Sequence, residues 1–298
     1  MITRRLKDIV AGKLMFSATI LSSLIVFVIA FALFYRSMPI LTTQPLSELF
    51  LSSSWYPWKG EFGFYPFIMG TLWVTILAMA ISIPLSLLTS IYLAEYAPIK
   101  VRGIIKPMVD LLAGIPSVVY GLWGVLLIVP LIRDYAAPLA GVTSTGYTLL
   151  AGGIVLAIMV FPIIISISEE VIGTVPKEVR EASMALGATK WQTVKHVVMR
   201  SALPGVIAAI ILGFGRAFGE TMAVLMVVGN VAKVPSSLFD PGYPLPALIA
   251  NNYGEMMSIP LYDSALMLAA LVLLLIVLLF SVLAGIILAG IKRRYMIG

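Results

Sequence analysis

Hydrophobic positions in this chain gather into runs far longer than a strand or the buried stripe of a surface helix requires. Five stretches carry no Asp, Glu, Lys or Arg: residues 14–35, 62–94, 111–132, 135–168 and 264–291. Each is at least as long as the roughly 20 residues an α-helix needs to cross the hydrocarbon of a bilayer. A sixth apolar segment, near residues 204–229, is interrupted close to its middle by Arg216 and Glu220. The pattern predicts an all-α, polytopic membrane protein with six transmembrane helices, and the interruption in the fifth is its most informative departure.

Helix breakers punctuate these runs: Pro84 in the second, Gly114, Pro116 and Pro130 in the third, Pro162 in the fourth, and Gly213, Gly215 and Gly219 in the fifth. Some of the helices should therefore kink or break. A break at membrane depth is tolerated only where the freed backbone is buried in protein or lines a watery cavity, which fits a conduit. Prolines and small residues in membrane helices also serve plain packing.

Composition excludes whole classes of function. Charged residues make up 11% of the chain against 60% hydrophobic ones, with a mean hydropathy of +1.05, too apolar for a soluble enzyme. There is no cysteine and one histidine, His196, so disulfides, iron–sulfur ligation and multi-His zinc sites are ruled out by counting, and no metal site is expected. No Gly-x4-Gly-Lys-Ser/Thr, Gly-x-Ser-x-Gly or His-Glu-x-x-His occurs, which leaves no candidate catalytic residue and no P-loop for ATP.

The net charge of +6 is informative by position. Arg4, Arg5, Lys7 and Lys13 precede the first run, and Lys100, Arg102 and Lys106 follow the second. Lys177, Arg180, Lys190, Lys195 and Arg200 lie between the fourth and fifth, and Lys292, Arg293 and Arg294 close the chain. The alternate loops hold only Arg36, Lys59, Arg133 and Lys233. The positive-inside bias places both termini and the 169–204 loop in the cytoplasm, of a prokaryotic inner membrane if the resemblance described below holds. A basic start before an apolar run also describes a signal peptide, but this run exceeds the 7 to 15 residues of a signal core, so a retained anchor is expected.

The longest cytoplasmic loop predicts two short helices around a glycine. Pro176 suits a first helical position, Gly187 a left-handed helix end, and Thr189 with Gln192 a capping box. Trp191, Val194 and Val198 then recur at helical spacing. Taken alone, this is a solvated connector or an amphipathic helix on the headgroups.

Glu181-Ala182-Ser183-x-x-x-Gly187, with Pro204 seventeen residues beyond the glycine, resembles the EAA loop of ABC importer permeases. Ser183 stands where that family usually has alanine. The resemblance implies a type I importer permease (MetI-like) fold and a coupling helix, carried by Glu181, Ala182 and Gly187, that docks on an ATPase subunit. It covers nearly the whole chain. Pro66-Phe-Ile-Met-Gly-Thr71, Asp110-Leu-Leu-Ala-Gly114-Ile-Pro116-Ser117-Val-Val-Tyr120-Gly121 and Gly215-Arg216-Ala-Phe-Gly219-Glu220-Thr221-Met222-Ala223-Val are similar to the phosphate-specific transport permeases, on the PstC-like side of that family. The implied partners are a second, PstA-like permease, a PstB-like ATPase dimer and an extracytoplasmic PstS-like phosphate-binding protein, besides membrane lipid and without nucleic acid. No cofactor is implied for this chain, ATP and magnesium belonging to the ATPase. The expected organisation is a first helix and external loop over residues 1–64, a five-helix permease core over 65–291 with the coupling loop at 169–204, and a cytoplasmic tail at 292–298.

Arg216 lies twelve residues beyond Pro204, roughly 18 Å along a helix, hence near mid-membrane. An arginine there costs about 2.5–3.5 kcal/mol to insert and must face a partner or water. Glu220, at i+4, would share its helix face and could pair with it, either as a buried structural salt bridge or as part of an anion path. The guanidinium fork suits phosphate oxygens, and Thr221 and Ser117 are candidate hydroxyl donors. Asp110 is read as a charge at a helix start or a partner for a base. External segments 36–63, with Trp55, Pro57 and Trp58, and 230–260, with four prolines, are long enough to meet a partner. The expected function is ATP-driven import of phosphate by alternating access. The same residues leave open another oxyanion (molybdate, sulfate or phosphonate), a stand-alone anion channel, and, least compatible with composition, an enzyme acting on phosphorylated lipid.

Overall fold

Among the described residues, which in this computed structural model are 2–255 and 258–296, six helices are long and apolar enough to cross a membrane. The first, α1 (Ile2–Thr43), is followed by a short α2 (Leu46–Leu51) and a two-stranded hairpin, β1 (Trp55–Tyr56) and β2 (Glu61–Phe62). The strands run antiparallel, Trp55 opposite Phe62 and Tyr56 opposite Glu61. Then come α3 (Tyr65–Tyr96), α4 (Ile99–Gly114), α5 (Ser117–Leu139) and α6 (Leu149–Gly173). After the short α7 (Lys177–Ala185), α8 (Lys190–Gly219) crosses back and is followed by α9 (Met222–Val227), α10 (Leu245–Asn252) and α11 (Tyr262–Met296).

The six spans match the six apolar runs in number and order, while several ends differ because caps and prolines, not charges, set them. The third span starts at Ser117 and not near residue 111, since Ile115 and Pro116 are extended and separate it from α4. The fourth starts at Leu149, where the Thr148 side chain accepts a hydrogen bond from the Ala151 amide. Asp110 consequently lies toward the end of α4, not at a helix start, with its Oδ1 3.5 Å from the Ser166 hydroxyl. The fifth runs unbroken through Pro204 from Lys190.

Proline also explains three of the four π turns, the exception being Val194–Val198 within α8. The amides of Ala97, Val129 and Ala137 each bond the carbonyl five residues back, and each directly precedes a proline. A proline ring clashes with the carbonyl four residues before it, and the wider turn moves that carbonyl aside.

The central helix is α6, the most buried span, with α3 and α8 packed along it; α1, the least buried, rests on α11. Arg36 of α1 donates to Asp263 of α11 at 3.0 Å. At the hairpin end, Trp55 sits among Phe62, Phe64, Phe67 and Tyr262, with ring centroids 4.8–6.3 Å apart. That aromatic cluster holds the hairpin on the ends of α3 and α11, while Trp58 at its tip stays exposed.

Candidate functional site

The charged interruption lies at a helix break. Helix α8 ends at Gly219; Glu220 is extended (φ −73°, ψ 124°), and a new helix begins at Met222. Glycines at 215 and 219 weaken the last turn, and the Glu220 side chain offers the backbone an alternative, because its Oε1 accepts from the Ala223 amide at 3.2 Å. This corrects the expected i, i+4 ion pair. Glu220 has left the helix face that carries Arg216, and its carboxylate serves the start of α9, facing a crevice lined by Thr71, Thr75, Leu156 and Pro244. Among the described residues Arg216 has no carboxylate within 4 Å.

The depth of the break follows from its register against α6, which at 25 residues is about 37 Å long. Gly205 faces Val171, and Gly213 faces Val160 and Ile164 so closely that an added Cβ would lie 2.9 Å from Ile164. Ala217 and Val224, on either side of the break, are buried with Leu156, Ala157 and Val160. The break thus lies about a third of the way along α6 from its Leu149 end.

A second break sits beside the first. Pro116 and Ile115 are extended, and Ser117 opens α5 half-buried. One turn on, Tyr120 is 7% exposed and donates to the Leu112 carbonyl at 2.8 Å, tying α5 back to α4 across the gap. Tyr120 lies within electrostatic reach of Arg216. Helices α5 and α9 pack together, with Gly121 against Ala223 and Met226. The structure therefore brings Arg216 within electrostatic reach of Tyr120, one turn beyond Ser117, at two interrupted helices, while Glu220 lines a crevice with Thr71 and Thr75. Thr221 Oγ1 donates to the Gly219 carbonyl at 3.3 Å.

The other candidate region is at the far end of α6. Glu181 and Ala182 are exposed on α7, and Gly187 ends the helix with φ +87°. The Thr189 and Gln192 capping box is present in both directions. Pro176 is the residue before the helix and not its first. Ser183 Oγ lies 3.0 Å from Thr193 Oγ1, joining α7 to α8. Val194 and Val198 are buried but Trp191 is 55% exposed, so it does not share their stripe. Together with Leu186 at 91%, Val179 and Met184 it makes an apolar outer face.

Residues 86–296 match the family of the binding-protein-dependent transport system inner membrane component. The chain belongs to that permease family. A probable ABC transporter permease protein, YqgH of Bacillus subtilis, is 40% identical over 228 residues, covering 74% of this permease and 72% of YqgH. The phosphate transport system permease protein PstC of Xylella fastidiosa is 39% identical over 271 residues, 86% of this permease and 83% of the relative. A probable PstC of Methanocaldococcus jannaschii is 34% identical, covering 79% and 80%. Solved structures agree on the fold alone. A chain of a bacterial ABC transporter that imports alginate superposes with a TM-score of 0.64 at 15% identity, covering 97% of this permease and 99% of that chain. One from the inward-facing MetNI methionine transporter gives 0.57 at 21%, covering 74% and 93%. The all-α, MetI-like importer permease architecture is therefore the observed one.

Several residues of this permease escaped the sequence reading. Tyr120 lay inside a quoted motif without a role. Glu169, its side chain 3% exposed, pairs with Arg102 and, at 3.1 Å, with Lys106, fastening α4 to α6. Arg102 and Lys106 stand one turn apart on α4, a spacing that signals a shared partner, though not which one.

Proposed function

We propose that this permease is one of two membrane subunits of an ATP-driven importer that moves inorganic phosphate into the cytoplasm by alternating access. The observation that carries the proposal is Arg216: a guanidinium in the last turn of α8, exposed in the single chain and, among the described residues, without a carboxylate partner, at the junction of two broken helices. Insertion of such a residue costs about 2.5–3.5 kcal/mol, so a site that leaves it unpaired fits an anionic visitor or water. The planar fork bonds two phosphate oxygens at once. The break before α5 adds its amide end, which favours negative charge, and the Ser117 hydroxyl adds a donor; the Thr221 hydroxyl can join them by giving up its bond to the Gly219 carbonyl. Relatives named phosphate transport system permease proteins support phosphate over other oxyanions.

In this reading the α7 side faces the cytoplasm, in line with the distribution of lysine and arginine, and both termini lie there. The exposed apolar face of α7 around Gly187 docks on a PstB-like ATPase dimer, which binds ATP and magnesium. A PstA-like subunit closes the path on the open side of Arg216, and a PstS-like protein delivers phosphate at the hairpin end. Glu220 keeps α9 in place beside the site. Binding at Arg216 must be weak enough for release.

The test is ATP-dependent uptake of radiolabelled phosphate by the reconstituted complex of both permeases, ATPase and binding protein. Arg216→Ala should lose uptake while assembly and ATPase activity persist. Normal uptake by that variant would end the path assignment. Absence of phosphate uptake by an assembled wild-type complex would end the substrate assignment.

A further inference from the structure

The α7 helix buries none of its residues, yet one side chain on it reaches between the ends of two membrane-spanning helices. Arg180 passes between the end of α3 and the end of α6. Its Nε donates to Glu95 Oε1 at 3.0 Å and its Nη2 to the same oxygen at 2.6 Å. Nη2 also donates to the Ile172 carbonyl at 2.9 Å, and Nη1 to the carbonyls of Val175 and Pro176. The side chains are 17% and 7% exposed, and the two residues lie 85 positions apart in sequence. Ten residues beyond Arg180, Lys190 at the start of α8 places its ammonium 4.5 Å from the Tyr96 ring centroid. The α7–α8 unit thus grips two consecutive residues, Glu95 and Tyr96, in the last turn of α3, a helix to which it is not directly joined in sequence.

That last turn leads somewhere. Ala97 and Pro98 connect it directly to α4, which runs to the Pro116 break and so to α5, whose Tyr120 lies within electrostatic reach of Arg216. Covalent attachment alone would let α7 move only α6 and α8. A guanidinium pinned at once to the α3 carboxylate and to carbonyls at the end of α6 makes the three helix ends move with α7. Two side chains of opposite charge, buried in one another's reach, resist separation more than a solvated pair does.

We infer that Arg180 and Glu95 are positioning residues that form the strut through which displacement of α7 is delivered to α3 and α4, and so to the broken helices at Arg216. This rests on the reading of the chain as an ATP-driven permease and adds to it a residue pair and a route. The strut is distinct from the docking face: it points away from Leu186 and Trp191, into the bundle. Cutting it should leave docking intact and break the link between hydrolysis and transport.

The experiment measures phosphate transported per ATP hydrolysed by the reconstituted complex, with assembly followed by co-purification. Variants are Arg180→Ala, Arg180→Lys and the exchange Arg180→Glu with Glu95→Arg. Arg180→Ala should assemble and hydrolyse ATP while transporting at least about tenfold less phosphate per ATP. The exchanged pair should recover part of that ratio, which a loss of mere packing would not. Arg180→Lys keeps the charge but cannot hold Glu95 and three carbonyls together, so its ratio should fall between wild type and Arg180→Ala. If Arg180→Ala does not assemble, the lysine variant decides: a lowered ratio supports the strut and a wild-type ratio overturns it. An unchanged ratio in Arg180→Ala, or parallel loss in both single variants without recovery on exchange, also overturns it. Should wild type carry sulfate or molybdate and not phosphate, the substrate reading fails, while the same ratio read with that anion still tests the strut.

Discussion

Two arginines, Arg180 and Arg216, sit in opposite surroundings, and the contrast separates what holds this protein together from what it offers to a ligand. Arg180 is largely buried, and its donors are used on a carboxylate and backbone carbonyls. Arg216 is exposed in the single chain, has no carboxylate beside it among the described residues, and stands in the last turn before a helix break. A saturated guanidinium has nothing left to give a passing anion, whereas an unsaturated one at membrane depth is stabilised only by what visits it. Neither partner count was apparent from residue type. It comes from where each chain segment ends.

The largest effect that can break this contrast is at Arg216. A charge-assisted hydrogen bond is worth about 1.5–3 kcal/mol, so Arg216→Ala should lower phosphate uptake about 10- to 100-fold with no loss of assembly. Arg216→Lys should recover only part, since an ammonium cannot form the two-pronged contact. If lysine and alanine behave alike, geometry at this position matters more than charge; if lysine equals wild type, the fork is irrelevant.

Glu220 provides the next test. Its carboxylate accepts from the Ala223 amide, so its contact in the chain is that of a cap. Removing such an acceptor costs about 1 kcal/mol. Glu220→Ala should therefore lower thermal stability by that order and reduce uptake. Glu220→Gln, which retains a carbonyl acceptor, should resemble wild type in both measurements. Equal damage from Gln and Ala would mean that the negative charge itself is needed, which would restore the coupling to Arg216 that the helix break argues against.

How these features read from sequence differs by kind. Five of the six spans were legible because charge-free runs of 22 residues or more need no knowledge of packing, and the other because its apolar run is broken only at Arg216 and Glu220. Their ends were not, because Thr148 as a cap, the extended Ile115 and Pro116, and π turns ahead of Pro98, Pro130 and Pro138 act locally within the apolar runs. The loop was legible where it is local: the Gly187 conformation and the Thr189 box depend on neighbours three residues away, whereas the exposure of Trp191 depends on packing. The Arg216 and Glu220 geometry was misjudged because i, i+4 spacing assumes a continuous helix. The Arg180 and Glu95 contact joins distant segments, and its one trace in the sequence is that Glu95 closes a charge-free run.

On the Arg180 side of the contrast, Gly187 offers a smaller and purely structural prediction. Its φ of +87° is one that a residue with a Cβ adopts at a cost of roughly 1 kcal/mol, although open space surrounds it. Gly187→Ala should lower the melting temperature slightly and weaken retention of the ATPase during purification. It should leave phosphate transported per ATP unchanged in whatever complex remains. A changed ratio would mean that the turn itself, and not Arg180 alone, carries the motion.

The smallest expected effect concerns a saturated anion, Asp240, in the loop between α9 and α10. Its Oδ2 accepts from the Ser236 hydroxyl at 2.7 Å, the Ser236 amide at 2.9 Å and the Ser237 amide at 3.0 Å. The hydrogen bond from the Ser236 hydroxyl, then that from the Ser236 amide, hold its carboxyl below the usual aspartate range. A depressed folded-state pKa stabilises the loop at any pH above the ordinary aspartate value, about 3.9, and that contribution is lost as pH falls below it toward the folded value. Between pH 5 and 8 the loop should be indifferent to pH. If saturation marks structural charges, Asp240→Asn should speed amide hydrogen exchange at Ser236 and Ser237 severalfold while uptake at neutral pH stays at the wild-type rate. A large loss of uptake with little change in exchange would show that a fully bonded charge can still serve the substrate, and the rule that distinguishes Arg180 from Arg216 would fail.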